Sequence, residues 1–208
     1  MTVKEISFGG HMLQLMPEGC IFWASQSMLI VSDLHLEKGS SFVAHGVFIP
    51  PHDTCETLIK LEHALKKTGA EKLLLLGDSF HDEKAYYRLD DKCRHDFTRL
   101  CNKYEIYWIE GNHERGFVPD GLTSYEELGL QDLIFRHIAD PDNTGKEISG
   151  HFHPCASIRH KGKKMRKRCY VADQSRLIMP AFGVYTGSLD VKDQVINNLF
   201  EQDFTVYM

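Results

Sequence analysis

Five short polar motifs, each closing an apolar run, carry the chemistry this sequence could perform: Asp33-Leu34-His35, Gly77-Asp78, Gly111-Asn112-His113-Glu114, a lone His137, and Gly150-His151-Phe152-His153. Asp33, His35, Asp78, Asn112, His137, His151 and His153 together offer carboxylate, imidazole and amide donors, with no thiolate among them. That mixture suits manganese, iron, zinc or a related divalent ion and argues against a soft-metal structural site. Two such ions about 3.5–4 Å apart can activate a water and clamp both the attacking and the leaving oxygen of a phosphoryl displacement. In Asp33-x-His35 and His151-x-His153, period-two alternation predicts an extended segment that delivers two ligands on one side while the middle residue faces the core.

The elements that must position these motifs follow from the apolar pattern. Residues 6–8, 12–15 and 20–24 read as short antiparallel strands punctuated by Gly9-Gly10 and Pro17-Glu18-Gly19. The run at 28–31 is continuously apolar, as in a strand buried on both faces. Residues 53–67 place Leu58, Leu61 and Leu65 on one helical face, with Asp53 or Thr54 as cap and Gly69 as stop. A buried strand at 73–76, a helix near 90–104 and a strand at 106–109 complete a βαβαβ rhythm, which predicts a parallel core. Strands at 133–137 and 147–151 again end in polar tips. Two or three antiparallel strands are expected over 156–186, with Gly162 in a basic turn, and an edge strand closes the chain from Phe204.

Length and charge bound the rest. The 208 residues suit one domain spanning 1–208. A formal charge of −5 argues against coating nucleic acid by bulk charge, so any basic patch must act locally. One such patch exists: residues 160–168 hold six of the 24 Lys and Arg residues. Its Lys163, Lys164, Arg166, Lys167 and Arg168 are candidate nucleic-acid contacts, against the reading of a solvated hairpin. The six cysteines form no CxxC pair and sit mostly in apolar runs, which predicts buried free thiols, not disulfides, and a reducing cytoplasm. No basic leader followed by an apolar core and no apolar run near the ~20 residues of a membrane span is visible.

The order of the five motifs resembles the signature of the calcineurin-like metallophosphoesterases: DxH, GD, GNH followed by an acidic residue, a lone His, and GHxH. The resemblance implies an α/β, four-layer αββα sandwich of two mixed β-sheets with metals at the strand tips. It implies two divalent ions, manganese first, with iron, zinc, nickel or magnesium as alternatives. Asp33, His35, Asp78 and His153 would hold one, Asp78, Asn112, His137 and His151 the other, and Asp78 would bridge. His113 would contact the phosphate and assist the leaving oxygen, with Glu114 as its orienting partner.

A narrower resemblance, over nearly the whole chain, is to the bacterial ligase-associated DNA damage response endonucleases, the PdeM family. It rests on Ser32-Asp-Leu-His-Leu, Leu76-Gly-Asp-Ser-Phe-His81, Gly111-Asn-His-Glu-Arg-Gly116, Gly150-His-Phe-His-Pro154 and Met179-Pro-Ala-Phe-Gly-Val-Tyr-Thr-Gly187. Glu37 stands where that family usually has Gly, and Glu114 where Asp is commoner. The implied function is hydrolysis of phosphodiesters, DNA first, by a metal-bridging hydroxide, with a DNA ligase or helicase as partner on the family name alone. The alternatives are a phosphomonoesterase or small-nucleotide phosphohydrolase with the same centre, and a non-catalytic subunit of a repair complex. Lys38, His45 and His81 adjoin the motifs and could meet a phosphate, although exposed loop residues with no task are the reading favoured for them. Phe182 and Tyr185 are expected in the core.

Overall fold

The computed structural model describes every residue except 1, 45, 48–49, 51, 161 and 201–202. The chain opens with β1 (Lys4–Phe8), β2 (His11–Leu15), β3 (Ile21–Trp23) and β4 (Met28–Val31), an antiparallel meander as the turn signals predict. Helices α1 (Lys38–Ala44) and α2 (Asp53–Thr68) then cross to β5 (Lys72–Leu76), which pairs parallel with β4. Helices α3 (Ala85–Arg88) and α4 (Asp91–Lys103) lead to β6 (Glu105–Ile109), parallel to β5, and β7 (Ser124–Tyr125) completes the first sheet in simple order β1 to β7. The βαβαβ expectation is met because β4 and β5 are nearly wholly buried apolar runs, which only a sheet covered on both faces accommodates.

The second sheet takes β8 (Glu127–Leu130), β9 (Leu133–Arg136) and β10 (Lys146–Ser149). A hairpin, β11 (Pro154–His160) and β12 (Lys163–Arg168), leaves it before β13 (Tyr170–Ala172) and β14 (Arg176–Ile178) return to it. The short β15 (Leu189–Asp190) pairs with β11, α5 (Gln194–Asn197) follows, and β16 (Thr205–Tyr207) closes an edge against β13. The order is β16-β13-β14-β10-β9-β8, with β10 parallel to both neighbours.

Alternation along β5 shows how the layers stack. Leu73 and Leu75 join Leu58, Leu61, Leu65, Phe97 and Leu100 in a core under α2 and α4. Leu74 and Leu76 face the other way, into a core with Leu133, Phe135, Ile148 and Leu177 of the second sheet. A third cluster, with Val171, Ile178, Val191, Ile196 and Phe200, covers the outer face of that sheet. The expected four layers are present, the outermost reduced to α5 and the small β12-β11-β15 sheet.

Two local expectations are corrected. Cys55 of α2 and Cys93 of α4 form a disulfide, with Cα atoms 5.8 Å apart, while Cys20, Cys101, Cys155 and Cys169 are free. The cysteine pattern therefore no longer argues for a reducing compartment. Asp53 and Thr54 do not cap α2. Asp53 Oδ2 accepts from the Gly39 amide at 2.9 Å and Thr54 Oγ1 from the Glu37 amide at 2.8 Å, so both hold the loop that follows His35. Gly69 does end the helix, and Asp90 caps α4 by accepting from the Cys93 amide at 2.7 Å. No helix among the described residues is long and apolar enough to cross a membrane.

Candidate metal centre

All five motifs converge at the ends of β4, β5, β6, β9 and β10. The loops after β4 and β5 are zipped together: the Asp33 amide donates to Gly77 O at 3.1 Å, His35 to Asp78 O at 2.9 Å and Leu36 to Ser79 O at 2.9 Å. Asp33, His35, Asp78, His151 and His153 all have left-handed backbone, with φ from 45° to 66°. The extended Asp-x-His and His-x-His segments expected from alternation are thus corrected. The ligands sit on turns beyond the strand ends, in a conformation costly for non-glycine residues and characteristic of functional loops. Those turns still deliver each pair together: the amides of Asp33, His35 and His151 are tied to the neighbouring loop, and the His153 carbonyl accepts from the Leu189 amide at 3.0 Å.

Two groups of donors result. Asp33, His35 and His153 have ligand atoms mutually within 4.8 Å, and so do Asp78, His137 and His151. His35 Nε2 and His153 Nε2 are 3.4 Å apart, and His151 Nδ1 and His137 Nε2 are 3.3 Å apart. Nitrogens each about 2.1 Å from one shared ion would be separated by roughly 3.0–3.4 Å, so both groups fit a divalent ion. Asp78 Oδ2 lies between them, 3.7 Å from His35 Nε2 and 3.2 Å from His137 Nε2. Asn112 Oδ1 is 3.2 Å from His137 Nε2, on the second group. His137, buried, points Nδ1 at Leu76 O at 3.1 Å; the carbonyl can only accept, which keeps a proton on Nδ1 and makes Nε2 the nitrogen that can donate to a metal once it is deprotonated.

The electrostatics suit cation binding. Burial pushes His35 down to about 3, so it is a neutral donor. Burial would raise Asp33 and Asp78, but the neighbouring histidines more than offset it and hold both carboxyls below their usual range. Burial likewise opposes a charge on His137, yet the bond to Asp78 and the nearby Asp33 raise it to about 9.

The supporting contacts explain motif residues that are not donors. A side chain at Gly111 would put its Cβ 2.1 Å from the Asp78 amide, and one at Gly183 would put it 2.0 Å from Leu34 O; neither position admits any residue but glycine. The 179–187 motif buttresses the first loop directly, with Phe182 N donating to Ser32 O at 2.7 Å and Gly183 N to Asp33 O at 3.0 Å. Phe182 is buried as expected and Tyr185 is half-buried.

Glu114 corrects a further expectation. Its fully buried carboxylate accepts from the amides of Ser79 at 3.0 Å and Phe80 at 2.6 Å and shapes the loop after Asp78 instead of orienting His113. Burial pushes this carboxyl up to about 8 against those two donors. His113 is oriented by His81, whose carbonyl lies 2.8 Å from His113 Nδ1.

His81 is therefore part of the site, although sequence reasoning favoured an idle loop residue. Its Nδ1 is 3.4 Å from that of His35. Only its place three residues after Asp78 could have signalled this. Lys38 also reaches the site, lining a cavity of about 410 Å³ with His35, Asp78, His113, His151 and His153. A second groove of about 640 Å³, bordered by Arg115, Glu126 and Glu127, reaches the donors at Asn112 and His137. His45 lies outside the described residues.

The basic hairpin divides by role. Arg168 donates to Ala181 O, Gly183 O and Thr186 Oγ1 at 2.7–2.9 Å and so secures the 181–186 segment. Arg166 donates to Ser188 O at 2.6 Å, and Ser188 lines the smaller cavity. Lys163, Lys164 and Lys167 are exposed.

Residues 27–174 match the model of the calcineurin-like phosphoesterase family, and the chain belongs to that family. It is a metal-dependent phosphoesterase, as its motifs predict. Among solved structures it is similar to the Pseudomonas putida nuclease MPE, at 27% identity over 93% of both chains with a TM-score of 0.78, in keeping with the resemblance to the PdeM family. A phosphoesterase from E. coli, Yfce, aligns over 77% of this chain and 82% of its own at 14% identity and a TM-score of 0.44. No curated protein gives a significant match.

Proposed function

We propose that this phosphoesterase hydrolyses phosphodiester bonds in DNA with two divalent ions, manganese first among them. The observation that carries the reading is the place of Asp78 Oδ2, within 3.7 Å of a histidine of each donor group. Asp33, His35, Asp78 and His153 would hold one ion and Asp78, Asn112, His137 and His151 the other. When bound, such a pair supplies an activated water and neutralises the charge that develops on the phosphoryl oxygens.

The chain's own groups supply the rest. Asp33 is fixed by bonds from Ser32 Oγ at 2.6 Å and the His151 amide at 3.0 Å, so its charge is aimed before any substrate arrives. With Nδ1 committed to the His81 carbonyl, His113 keeps Nε2 for the cavity, 3.9 Å from Asp78 Oδ2. From there, when the ring carries a second proton, Nε2 donates it to the leaving oxygen. The exposed Lys163, Lys164 and Lys167 offer cations for the backbone of a polynucleotide. The similarity to a nuclease over nearly the whole chain favours a nucleic acid over a small ester.

A metal-by-substrate screen tests the reading. Manganese-loaded protein should hydrolyse a bis-aryl phosphodiester and a DNA oligonucleotide faster than an aryl phosphomonoester. Turnover of the monoester alone would replace this proposal with the phosphomonoesterase reading.

A further inference from the structure

Lys38 is the first residue of α1 and lines the cavity that holds His113 and the donor residues. Its half-buried ammonium makes no hydrogen bond and no ion pair within 4 Å among the described residues. Asp78, Asp33 and Asp53 act on it only at longer range. A positive charge is also unfavourable at a helix start, where the backbone dipole already presents its positive end. Neither helix formation nor a salt bridge therefore accounts for a lysine here.

The backbone around it is nonetheless tightly fixed. Glu37 has φ 65°, its amide donates to Thr54 Oγ1 at 2.8 Å, and the Thr54 hydroxyl donates back to Glu37 Oε1 at 2.8 Å. The Gly39 amide is held by Asp53 at 2.9 Å. On the other flank Arg88 donates to Ser40 Oγ at 3.0 Å and is itself locked to Asp82 at 2.6 Å. Residues on both sides of Lys38 are thus clamped by α2 and α3, while the lysine side chain has no hydrogen-bond or ion-pair partner among the described residues.

We propose that Lys38 is a positioning residue whose ammonium binds a non-bridging phosphate oxygen of the substrate, on the α1 side of the donor cluster. The assignment rests on the phosphodiesterase reading above. An ammonium without an internal partner, beside carboxylates that the ions would claim, is suited to an anion that arrives with the substrate. It would hold the phosphate against the histidines and lower the freedom of the ester before reaction.

Lys38→Met, Lys38→Gln and Lys38→Arg test this with inorganic phosphate as the probe. Calorimetric binding of phosphate to the manganese-loaded protein should weaken about ten- to a hundredfold in the Met and Gln variants, the loss of one charge-assisted bond. It should recover in the Arg variant, and KM for a bis-aryl phosphodiester should rise more than kcat falls. Metal content should stay at the wild-type value. Unchanged phosphate affinity and KM in Lys38→Met or Lys38→Gln overturns the proposal. So does loss of bound metal in both, which would make Lys38 part of the donor framework. An inactive wild-type protein that still binds phosphate through Lys38 would count against the phosphodiesterase reading alone.

Discussion

The Nδ1 atom of His113 lies 2.8 Å from the carbonyl oxygen of His81, and the two imidazole rings stack with centroids 5.0 Å apart. A carbonyl accepts only, so this contact keeps a proton on Nδ1 and leaves Nε2 as the working nitrogen, an acid when the ring is doubly protonated. His113→Ala should keep its metal and lose about 10²–10⁴ in phosphodiester turnover, the usual worth of a positioned acid. Metal analysis beside steady-state kinetics checks both halves. Full activity would remove His113 from the chemistry.

Metal uptake should depend on pH through His137. In the metal-free protein its pKa is raised from 6.5 to about 9, against burial, by Asp78 and Asp33. The pairing therefore stabilises the fold fully below pH 6.5, and this contribution is lost as pH rises through about 9. Metal binding has the opposite sign, because His137 must be neutral to donate. Affinity should rise toward pH 9 with release of about one proton from this residue, measured by calorimetry in buffers of different ionisation enthalpy.

Much of this was legible in the chain. Leu73 to Leu76 announced a buried strand, and the ordered motifs announced the donors, because periodicity and residue type are local signals. What escaped is set by geometry that no local pattern encodes. Left-handed φ at Asp33 and His151 cannot be told from an extended strand by alternation. Cys55 and Cys93, 38 residues apart, meet only because α2 packs on α4. Asp53 and Thr54 had the chemistry of helix caps, but the loop after His35 presents amides that compete for them. Glu114 adjoins His113 in sequence, yet its carboxylate turns inward to the amides of Ser79 and Phe80.

The hairpin separates charge from structure. Replacing Lys163, Lys164 and Lys167 with Gln should weaken DNA binding and reduce the slope of log K against log salt by about 0.7 per lysine on single strands. Thermal stability should barely change, since all three are exposed. Arg168→Ala should instead lower the melting temperature, because it removes the bonds to Ala181, Gly183 and Thr186. Salt-titrated binding isotherms and thermal melts distinguish the two.

The shared position of Asp78 is tested most directly by counting manganese bound per chain in the wild type and in Asp78→Asn, after free ion is removed. Two ions per wild-type chain are expected, with tight binding at both positions and phosphodiester turnover lost together in the variant. A single ion in the wild type, or a variant that keeps two ions and wild-type turnover, would contradict a centre built on that carboxylate.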